Sequence, residues 1–292
     1  MTPAPRVVAT ILTRNRVDLL RKSVRAALDQ TRAPDEVIVV DNASDDDTLE
    51  VLRREFGEVT VLALPENQGA TGGFYEAIAA GLRAGADWLW LLDDDSFARP
   101  DALEELLAPL DQLDGALAPT VLCSRVEWRD GTPHVMNRPV VRPDDGQKLV
   151  DSVRRGLFPI RAASWVSVMI SRAAVERFGM PLRQFFYQAD DIEYTARILR
   201  HTPGYYVPRS VVVHDTPGQH TAVDDDHRFY YHIRNTVLMI RGRAWELREK
   251  PGLVWVMIWT SRLYLRIHWR RPLAAVVNLV KGVAAGFRVP AD

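Results

Sequence analysis

Residues 87–95 read DWLWLLDDD, an apolar run that ends in three consecutive carboxylates. The apolar residues before Asp93 predict a short strand that is buried within a sheet. Carboxylates one residue apart at a strand end, here Asp93 and Asp95, suit a hard divalent cation, and such a cation binds diphosphates. An acidic helix cap before Pro100 is the structural alternative for the same residues.

The flanking sequence alternates between strands and helices. Apolar runs at residues 6–12, 36–40 and 59–64 predict three more strands, and helical spacing of apolar residues at 18–30 and 72–84 predicts helices between them. The predicted fold class is therefore α/β, with a mostly parallel, Rossmann-like sheet that carries helices on both faces. In such folds ligands bind beyond the carboxyl ends of the strands.

Polar residues that follow the predicted strands are expected to meet at that edge. Thr13 and Arg14 follow the first strand, and Asp41 follows the second. A carboxylate placed like Asp41 often accepts hydrogen bonds from a nucleoside. The turn-forming residues around it favour a local Asx turn or a helix N-cap equally well.

A glycine-rich segment, NQGATGG at residues 67–73, follows the third strand. Glycines at a helix start let the backbone approach a phosphate or a sugar closely, so Asn67, Gly72 and Gly73 are candidate binding residues. An ordinary loop is the alternative. The segment matches neither the dinucleotide-binding pattern after a first strand nor a P-loop, so neither of those classes is supported.

Two further candidates lie in the second half of the chain. Asp190 and Asp191 open a predicted helix, where acidic residues interact well with the helix dipole and where one of them could serve as a general base. His214 ends a strand-like run at residues 205–213. Its imidazole is a candidate third metal ligand, although a single histidine at a strand end is more often structural.

Composition narrows the class of protein. The chain has 292 residues and a net charge of −1, and its single cysteine, Cys123, excludes a disulfide framework. No apolar run reaches the length of a bilayer-spanning helix, and the N-terminus lacks the layout of a secretory signal, so a cytoplasmic location is expected. From Arg228 onward there are 12 basic and 3 acidic residues, a balance of +9, which leaves −10 for the preceding part.

In this order the segments VVATILTRNR, EVIVVDNASDDDT, PENQGATGGF, WLWLLDDDS, FFYQADDIEYTARIL and VVVHD resemble an inverting family-2 glycosyltransferase of the GT-A fold. The resemblance covers nearly all of residues 6–215, and within the family it is strongest to bacterial galactofuranosyl- and rhamnosyltransferases. It implies a nucleotide-sugar donor, UDP-galactofuranose or dTDP-rhamnose in type, and a hydroxyl of a glycan or glycolipid as acceptor.

The resemblance also implies roles for individual residues. The implied sets are Thr13, Arg14, Asp41, Asn67, Gly72, Gly73 and Asp94 for the donor, Asp93, Asp95 and His214 for Mn²⁺ or Mg²⁺, Asp191 as catalytic base, and Trp165 and Asp190 for the acceptor. In the implied reaction Asp191 takes the proton of the acceptor hydroxyl, whose oxygen attacks the anomeric carbon opposite the leaving nucleotide and inverts it.

Residues 1–226 are predicted to form the catalytic domain and residues 227–292 a helical, amphipathic C-terminal region. Within that region Trp255 and Trp259 share one stripe of a predicted helix with several arginines. This pattern is typical of a helix that lies on an anionic membrane surface, here the inner face of the plasma membrane beside a lipid-linked glycan acceptor. Packing against the catalytic domain or a second subunit of a homo-oligomer is the alternative, and no nucleic-acid-binding motif accompanies the charge.

Two other functions are weighed against the transferase. A catalytically inactive nucleotide-sugar-binding or scaffold protein would be expected to lack the carboxylate run or the base, and this chain has both. A nucleotidyltransferase would carry a glycine-rich loop after the first strand, whereas TRNRVD at residues 13–18 has no glycine.

Overall fold

The computed structural model describes residues 4–142, 146–219 and 221–291. The strands are β1 (Val7–Thr13), β2 (Glu36–Asp41), β3 (Thr60–Ala63), β4 (Trp88–Asp93), β5 (Ser96–Ala98), β6 (Val121–Glu127), β7 (Val140–Val141), β8 (Phe158–Ala162), β9 (Val168–Ser171) and β10 (Gly204–His214). The α-helices are α1 (Val17–Leu28), α2 (Thr48–Glu55), α3 (Gly69–Arg83), α4 (Ala102–Gln112), α5 (Gly146–Arg154), α6 (Arg172–Phe178), α7 (Asp190–Leu199), α8 (Asp226–Arg241), α9 (Lys250–Ile267) and α10 (Pro272–Arg288).

The strands form one sheet in the order β3-β2-β1-β4-β9-β6-β10-β8-β7, with β5 added against β10. Strands β1 to β4 are parallel, as the alternation of strands and helices predicts. The other half is mixed, because β9 runs antiparallel to both β4 and β6, and β8 runs antiparallel to β10. The expected parallel sheet is therefore confirmed for the first four strands, whereas the sheet as a whole is mixed.

Alternation along β1 explains why both faces of the sheet are covered. Val7, Ala9 and Ile11 point into the apolar layer that holds α1, α2 and α4. Val8 and Leu12 point into the opposite layer under α3 and α7. Successive side chains of a strand face opposite sides, so the continuous apolar run requires burial on both.

The C-terminal helices pack on one another and on the sheet. Helix α10 lies close to α8, since a Cβ added at Gly286 would be 2.6 Å from the Cβ of Val237. Arg161 of β8 is 3% exposed and donates to both carboxylate oxygens of Glu249, at 2.7 and 2.9 Å. This partly buried ion pair fixes the start of α9 against the sheet.

Candidate active site

The carboxyl ends of neighbouring strands meet at one edge of the sheet, as predicted. The register pairs Thr13 with Asp41 across β1 and β2, and Leu12 with Asp93 across β1 and β4. The antiparallel pairing of β5 with β10 places His214 opposite Ser96, and so beside Asp95. Residues far apart in the chain therefore converge because their strands end together.

Asp93, Asp95 and His214 form a compact set of metal-type ligands. Their ligand atoms all lie within 4.8 Å of one another, and Nε2 of His214 is 3.1 Å from a carboxylate oxygen of Asp95. Nδ1 of His214 lies 2.8 Å from Oδ1 of Asn137. A proton on Nδ1 that is donated to Asn137 leaves the Nε2 lone pair free for a cation.

The charges of this set support a cation site. Burial, followed by the neighbouring carboxylates Asp95 and Asp94, raises the pKa of Asp93 well above its ordinary value. Burial also favours a raised pKa for Asp95, but the contacts with His214 and Arg16 outweigh it and lower that pKa. A divalent cation among these groups would offset the repulsion between the carboxylates, and their oxygen and nitrogen atoms fit Mn²⁺ or Mg²⁺.

Asp94 points toward the loop after β1. Its carboxylate accepts from the hydroxyl of Thr13 at 2.9 Å, from the backbone N–H of Arg14 at 3.4 Å and from Nη1 of Arg16 at 3.2 Å. Nη1 of Arg16 also donates to Asp95 at 2.8 Å. Burial is the main reason why the pKa of Asp94 rises to about 6, with Arg16 acting against it.

Arg16 was not among the predicted site residues. It lies in the loop between β1 and α1, lines the cleft and contacts two of the three carboxylates. In the sequence, the feature that points to Arg16 is its position in the segment that follows the predicted first strand. The structure adds it as the cation that balances the carboxylate run.

The residues that were predicted to bind the nucleoside include some whose side chains already hydrogen-bond within the protein. Asp41 is buried and accepts from the backbone N–H of Ser44 at 3.2 Å, which closes the turn after β2. Oδ1 of Asn67 accepts from the amide of Asn42 at 3.1 Å. Arg14 and Asn67 line the cleft beside these turns. The carboxylate of Asp41 thus has a local structural partner three residues on, as an N-cap-like contact would provide, and nucleoside binding stays a prediction.

Gly72 and Gly73 lie inside α3, which begins at Gly69 rather than at the predicted residue 72. An added Cβ would lie 2.5 Å from the Cβ of Gln68 at Gly72, and 2.3 Å from Cδ1 of Leu12 at Gly73. Close packing of α3 on β1 therefore accounts for Gly73 without a ligand. A donor contact at these two glycines also stays a prediction.

Asp190 and Asp191 begin α7 in different surroundings. Asp190 is 4% exposed and accepts from the indole N–H of Trp165 at 2.8 Å. Trp165 itself is buried and stacks on Phe74 with ring centroids 4.7 Å apart. The pair packs beneath the first turn of α7, and the aromatic ring is buried rather than exposed. Acceptor binding by Trp165 and Asp190 therefore stays a prediction.

Asp191 lines the cleft directly. Burial and, secondly, the charge of Asp190 raise its pKa to about 7, against the opposing effect of the N–H of Ile192 at 2.7 Å. A carboxylate with such a pKa is a suitable general base near neutral pH. The same cleft therefore holds Asp191 and the metal-type ligand set of Asp93, Asp95 and His214.

The cleft has a volume of about 910 Å³ and extends beyond the carboxylates. Its far wall is apolar and comes from the end of α8, the following turn and the start of α9, through Met239, Trp245, Leu253 and Val256. The predicted catalytic domain ends at residue 226, yet these residues complete the cleft. Helix α8 and the start of α9 are therefore part of the cleft wall.

Comparisons of the sequence and of the fold with known proteins both find glycosyltransferases. Residues 9–177 match the family described as Glycosyl transferase family 2. The chain is 29% identical over 222 residues to a galactofuranosyltransferase, GlfT1, of Mycolicibacterium smegmatis, which covers 68% of this chain and 67% of that protein. It is 30% identical over 198 residues to GlfT1 of Mycobacterium tuberculosis, which covers 66% and 64%. The matches thus span about two thirds of these relatives.

Among solved structures, a mannosyltransferase from Pyrobaculum calidifontis in complex with GDP-Man and Mn²⁺ superposes with a TM-score of 0.60 at 20% identity. The superposition covers 97% of this chain and 76% of that one. At this identity the likeness shows a shared fold.

Proposed function

Because the chain belongs to glycosyl transferase family 2 and has the GT-A fold, we propose that it is a metal-dependent, inverting enzyme that uses a nucleotide-diphosphate sugar. The observation that carries the proposal is the shared cleft, which holds Asp191 together with Asp93, Asp95 and His214. The donor is a UDP-galactofuranose or dTDP-rhamnose type, and the names of the GlfT1 relatives favour the first.

Asp93, Asp95 and His214 are the residues that would hold the cation. When bound, Mn²⁺ or Mg²⁺ neutralises the negative charge that develops on the departing nucleotide diphosphate. Thr13, Arg14, Arg16 and the turns around Asp41 and Asn67 form the donor side of the cleft. The side chain of Arg16 is half-exposed, and its present partners, Asp94 and Asp95, are negatively charged like a diphosphate. Its guanidinium can therefore move toward the diphosphate of a bound donor.

Asp191 acts on the acceptor side. Its ionised carboxylate takes the proton of the acceptor hydroxyl, and the oxygen forms a bond to the anomeric carbon as the bond to the nucleotide breaks. The single displacement inverts that carbon and needs no enzymic nucleophile. Since the base works only when ionised, activity is expected to rise with pH through about 7.

The base assignment is tested with Asp191→Asn. We expect transfer to fall by several orders of magnitude while UDP still binds in the presence of Mn²⁺, because the substitution keeps shape and removes only the proton acceptor. Asp18→Asn is the matched control, since the side chain of Asp18 is 86% exposed on α1. Transfer at the wild-type rate by Asp191→Asn would show that another group removes the proton.

The donor is tested by incubating the enzyme and Mn²⁺ with UDP-galactofuranose, dTDP-rhamnose and other nucleotide sugars, and by measuring nucleotide release with and without glycan acceptors. The same panel with Mg²⁺ compares the two cations. Release from no member of the panel would contradict a transferase function.

We also propose that α9 and α10 rest on an anionic membrane and that the acceptor is a lipid-linked glycan. Trp255 and Trp259 of α9 are 66% and 57% exposed, and Leu273 and Phe287 of α10 are 77% and 62% exposed. Ten arginines and two lysines lie in the same +9 region. Exposed tryptophans with cations suit the headgroup layer, to which each basic residue adds roughly 1 kcal/mol.

Helix α9 connects this surface with the cleft. Leu253 and Val256 line the apolar end of the cleft, while Trp255 and Trp259 on the same helix are exposed. None of the helices in the described part of the chain has the length and apolar character that a bilayer crossing requires. The exposed tryptophans support attachment of α9 to the membrane surface, on the cytoplasmic face. The attached surface would lie next to the apolar end of the cleft, where a lipid-linked acceptor would enter.

Sedimentation with vesicles of anionic and of neutral lipid tests this attachment. We expect binding to anionic vesicles at low salt, weakened by the double substitution of Trp255 and Trp259 with serine. Leu247→Ser is the control, because Leu247 is 83% exposed but lies outside both helices. An absence of sedimentation with anionic vesicles at low salt would contradict the proposal.

A further inference from the structure

The segment that leads into α7 has an unusual backbone. Within residues 185–189, here called the lead segment, Phe186, Gln188 and Ala189 have φ values of 59°, 69° and 62°. None of them is glycine, and such residues keep a left-handed conformation only where the surroundings hold it. The lead segment ends directly at Asp190 and Asp191, so its shape sets the start of α7.

One side chain of α8 holds most of this segment. Asn235 is fully buried, and its amide donates to the carbonyl oxygens of Phe185 at 3.0 Å, Tyr187 at 2.8 Å and Gln188 at 2.6 Å. These carbonyls are turned toward α8 because the left-handed residues redirect the chain between them. The two hydrogens of this amide are thus shared among the carbonyls of three peptide units.

Arg234 completes the arrangement. Its guanidinium donates to the carboxamide oxygen of Asn235 at 2.8 Å, which orients the Asn235 amide toward the lead segment. It also donates to the carbonyls of Phe185, at 3.2 Å, and Gln184. Hydrogen bonds from a charged donor are stronger than neutral ones, so the orientation of Asn235 is well determined.

The opposite side of the lead segment contacts the start of α3. An added Cβ at Gly69 would lie 2.3 Å from the carbonyl oxygen of Phe186, and the N–H of Thr71 donates to the same oxygen at 3.2 Å. The lead segment is therefore enclosed between α3 on the donor side and Asn235 on the other. Little room is left for α7 to shift without breaking one of these contacts.

We propose that Asn235, oriented by Arg234, is a positioning residue that sets the place of the Asp191 carboxylate relative to the acceptor hydroxyl. The inference rests on the proposed role of Asp191 as the base. Asn235 touches neither substrate nor the reacting atoms; it acts through the lead segment and the first turn of α7. A displacement of about 1 Å at a reacting group lowers a rate on the order of 100-fold.

Asn235→Asp tests the proposal, since it keeps the shape of the side chain and removes the amide donors. We expect kcat to fall about 10- to 100-fold, while the Kd for UDP in the presence of Mn²⁺ changes less than about twofold. Because the surroundings of Asp191 change, the acidic limb of the pH profile of kcat/KM should also move. A purely structural role would lower Tm without moving that limb.

The control is Asn278→Ala. Asn278 of α10 also donates from its amide to a backbone carbonyl, that of Asp226 at 2.8 Å, but it contacts no part of the lead segment. We expect it to leave kcat and the pH profile unchanged. Hydrogen exchange of residues 185–193 gives a readout without catalysis: it should quicken in Asn235→Asp and not in Asn278→Ala.

The outcomes separate this proposal from the base assignment. If Asp191→Asn is inactive but Asn235→Asp, correctly folded, keeps the wild-type kcat or the wild-type exchange rates, the positioning role is wrong and the base assignment stands. If Asp191→Asn is fully active, both are wrong. If Asn235→Asp does not fold, Arg234→Lys, which keeps the charge but loses the planar fork, must show the same effects at smaller size.

Discussion

The raised pKa of Asp191 makes a prediction about stability that requires no substrate. Its pKa rises from an ordinary value of 3.8 to about 7 in the folded chain. Between these two values the folded chain holds a proton that the unfolded chain releases, so this group makes the protein less stable as the pH rises. Its favourable contribution is complete below about pH 3.8 and is lost as the pH rises through about 7.

The size of the effect follows from the shift. A change of one pKa unit corresponds to 1.36 kcal/mol, so the change from 3.8 to about 7 amounts to about 4 kcal/mol. Asp191→Asn is neutral at every pH and loses nothing. The variant should therefore be about as stable as the wild type near pH 4 and up to about 4 kcal/mol more stable at pH 8. For a chain of 292 residues that is a difference in Tm of roughly 6 °C.

The assay is thermal unfolding of both proteins in EDTA, without nucleotide, at several pH values from 4 to 8. The comparison with the variant is needed because burial lowers the pKa of His134 and His232 to about 4, which makes stability rise with pH over part of the same range. That contribution is the same in both proteins and cancels.

A gap between wild type and Asp191→Asn that is constant from pH 4 to pH 8 would refute the reasoning. It would mean that Asp191 titrates at its ordinary value and that neither burial nor Asp190 perturbs it. A gap that grows toward low pH would refute it as well, since the sign would then be that of a carboxylate stabilised in its ionised form.

Three further predictions concern other parts of the chain. Glu249→Gln leaves the buried Arg161 with only backbone carbonyl partners, and we expect a loss of about 1–3 kcal/mol in urea unfolding; unchanged stability would show that the pair contributes nothing. Gly286→Ala forces α10 away from Val237, at a cost of about 1–3 kcal/mol in the same assay, and unchanged stability would contradict the close packing. Arg16→Gln removes a cation that competes for the carboxylates, so calorimetry should show Mn²⁺ binding about 5-fold more tightly without nucleotide and UDP binding more weakly, whereas weaker Mn²⁺ binding would contradict this role.

The edge of the sheet could be predicted from the sequence because it depends on local patterns and one general rule. Apolar runs locate β1, β2 and β4, and parallel strands must end together, so Thr13, Asp41 and Asp93 were expected side by side. The second half of the sheet was less predictable. Nothing in a short apolar run states whether a strand such as β9 runs parallel or antiparallel to its neighbour.

Side-chain partners that come from distant segments could not be predicted in the same way. Arg16, Asn137 and Asn235 are single polar residues without periodicity, and each acquires its role from a contact with a remote segment. Gly73 shows the reverse problem. A glycine, which has no Cβ, allows the close approach of a phosphate and the close packing of a helix equally well. Only the position of Leu12 in the structure shows that Gly73 allows close packing.

The predicted domain boundary at residue 226 also could not take account of contacts between distant segments. Composition distinguishes a basic C-terminal region, since the net charge changes sign there. The contacts of Asn235 with the lead segment and of Arg161 with Glu249 cross that boundary, and no composition can reveal them.

The long reach of Asn235 bears on the order in which the active site is assembled. The carbonyls that it holds were synthesised 47 to 50 residues earlier, and the lead segment has no reason to adopt its left-handed backbone before α8 is present. On the ribosome, the sheet can form first, whereas Asp191 takes its place only when α8 has emerged and docked. A chain halted before residue 235 would thus lack the side chain that holds the lead segment, and with it the proposed position of Asp191.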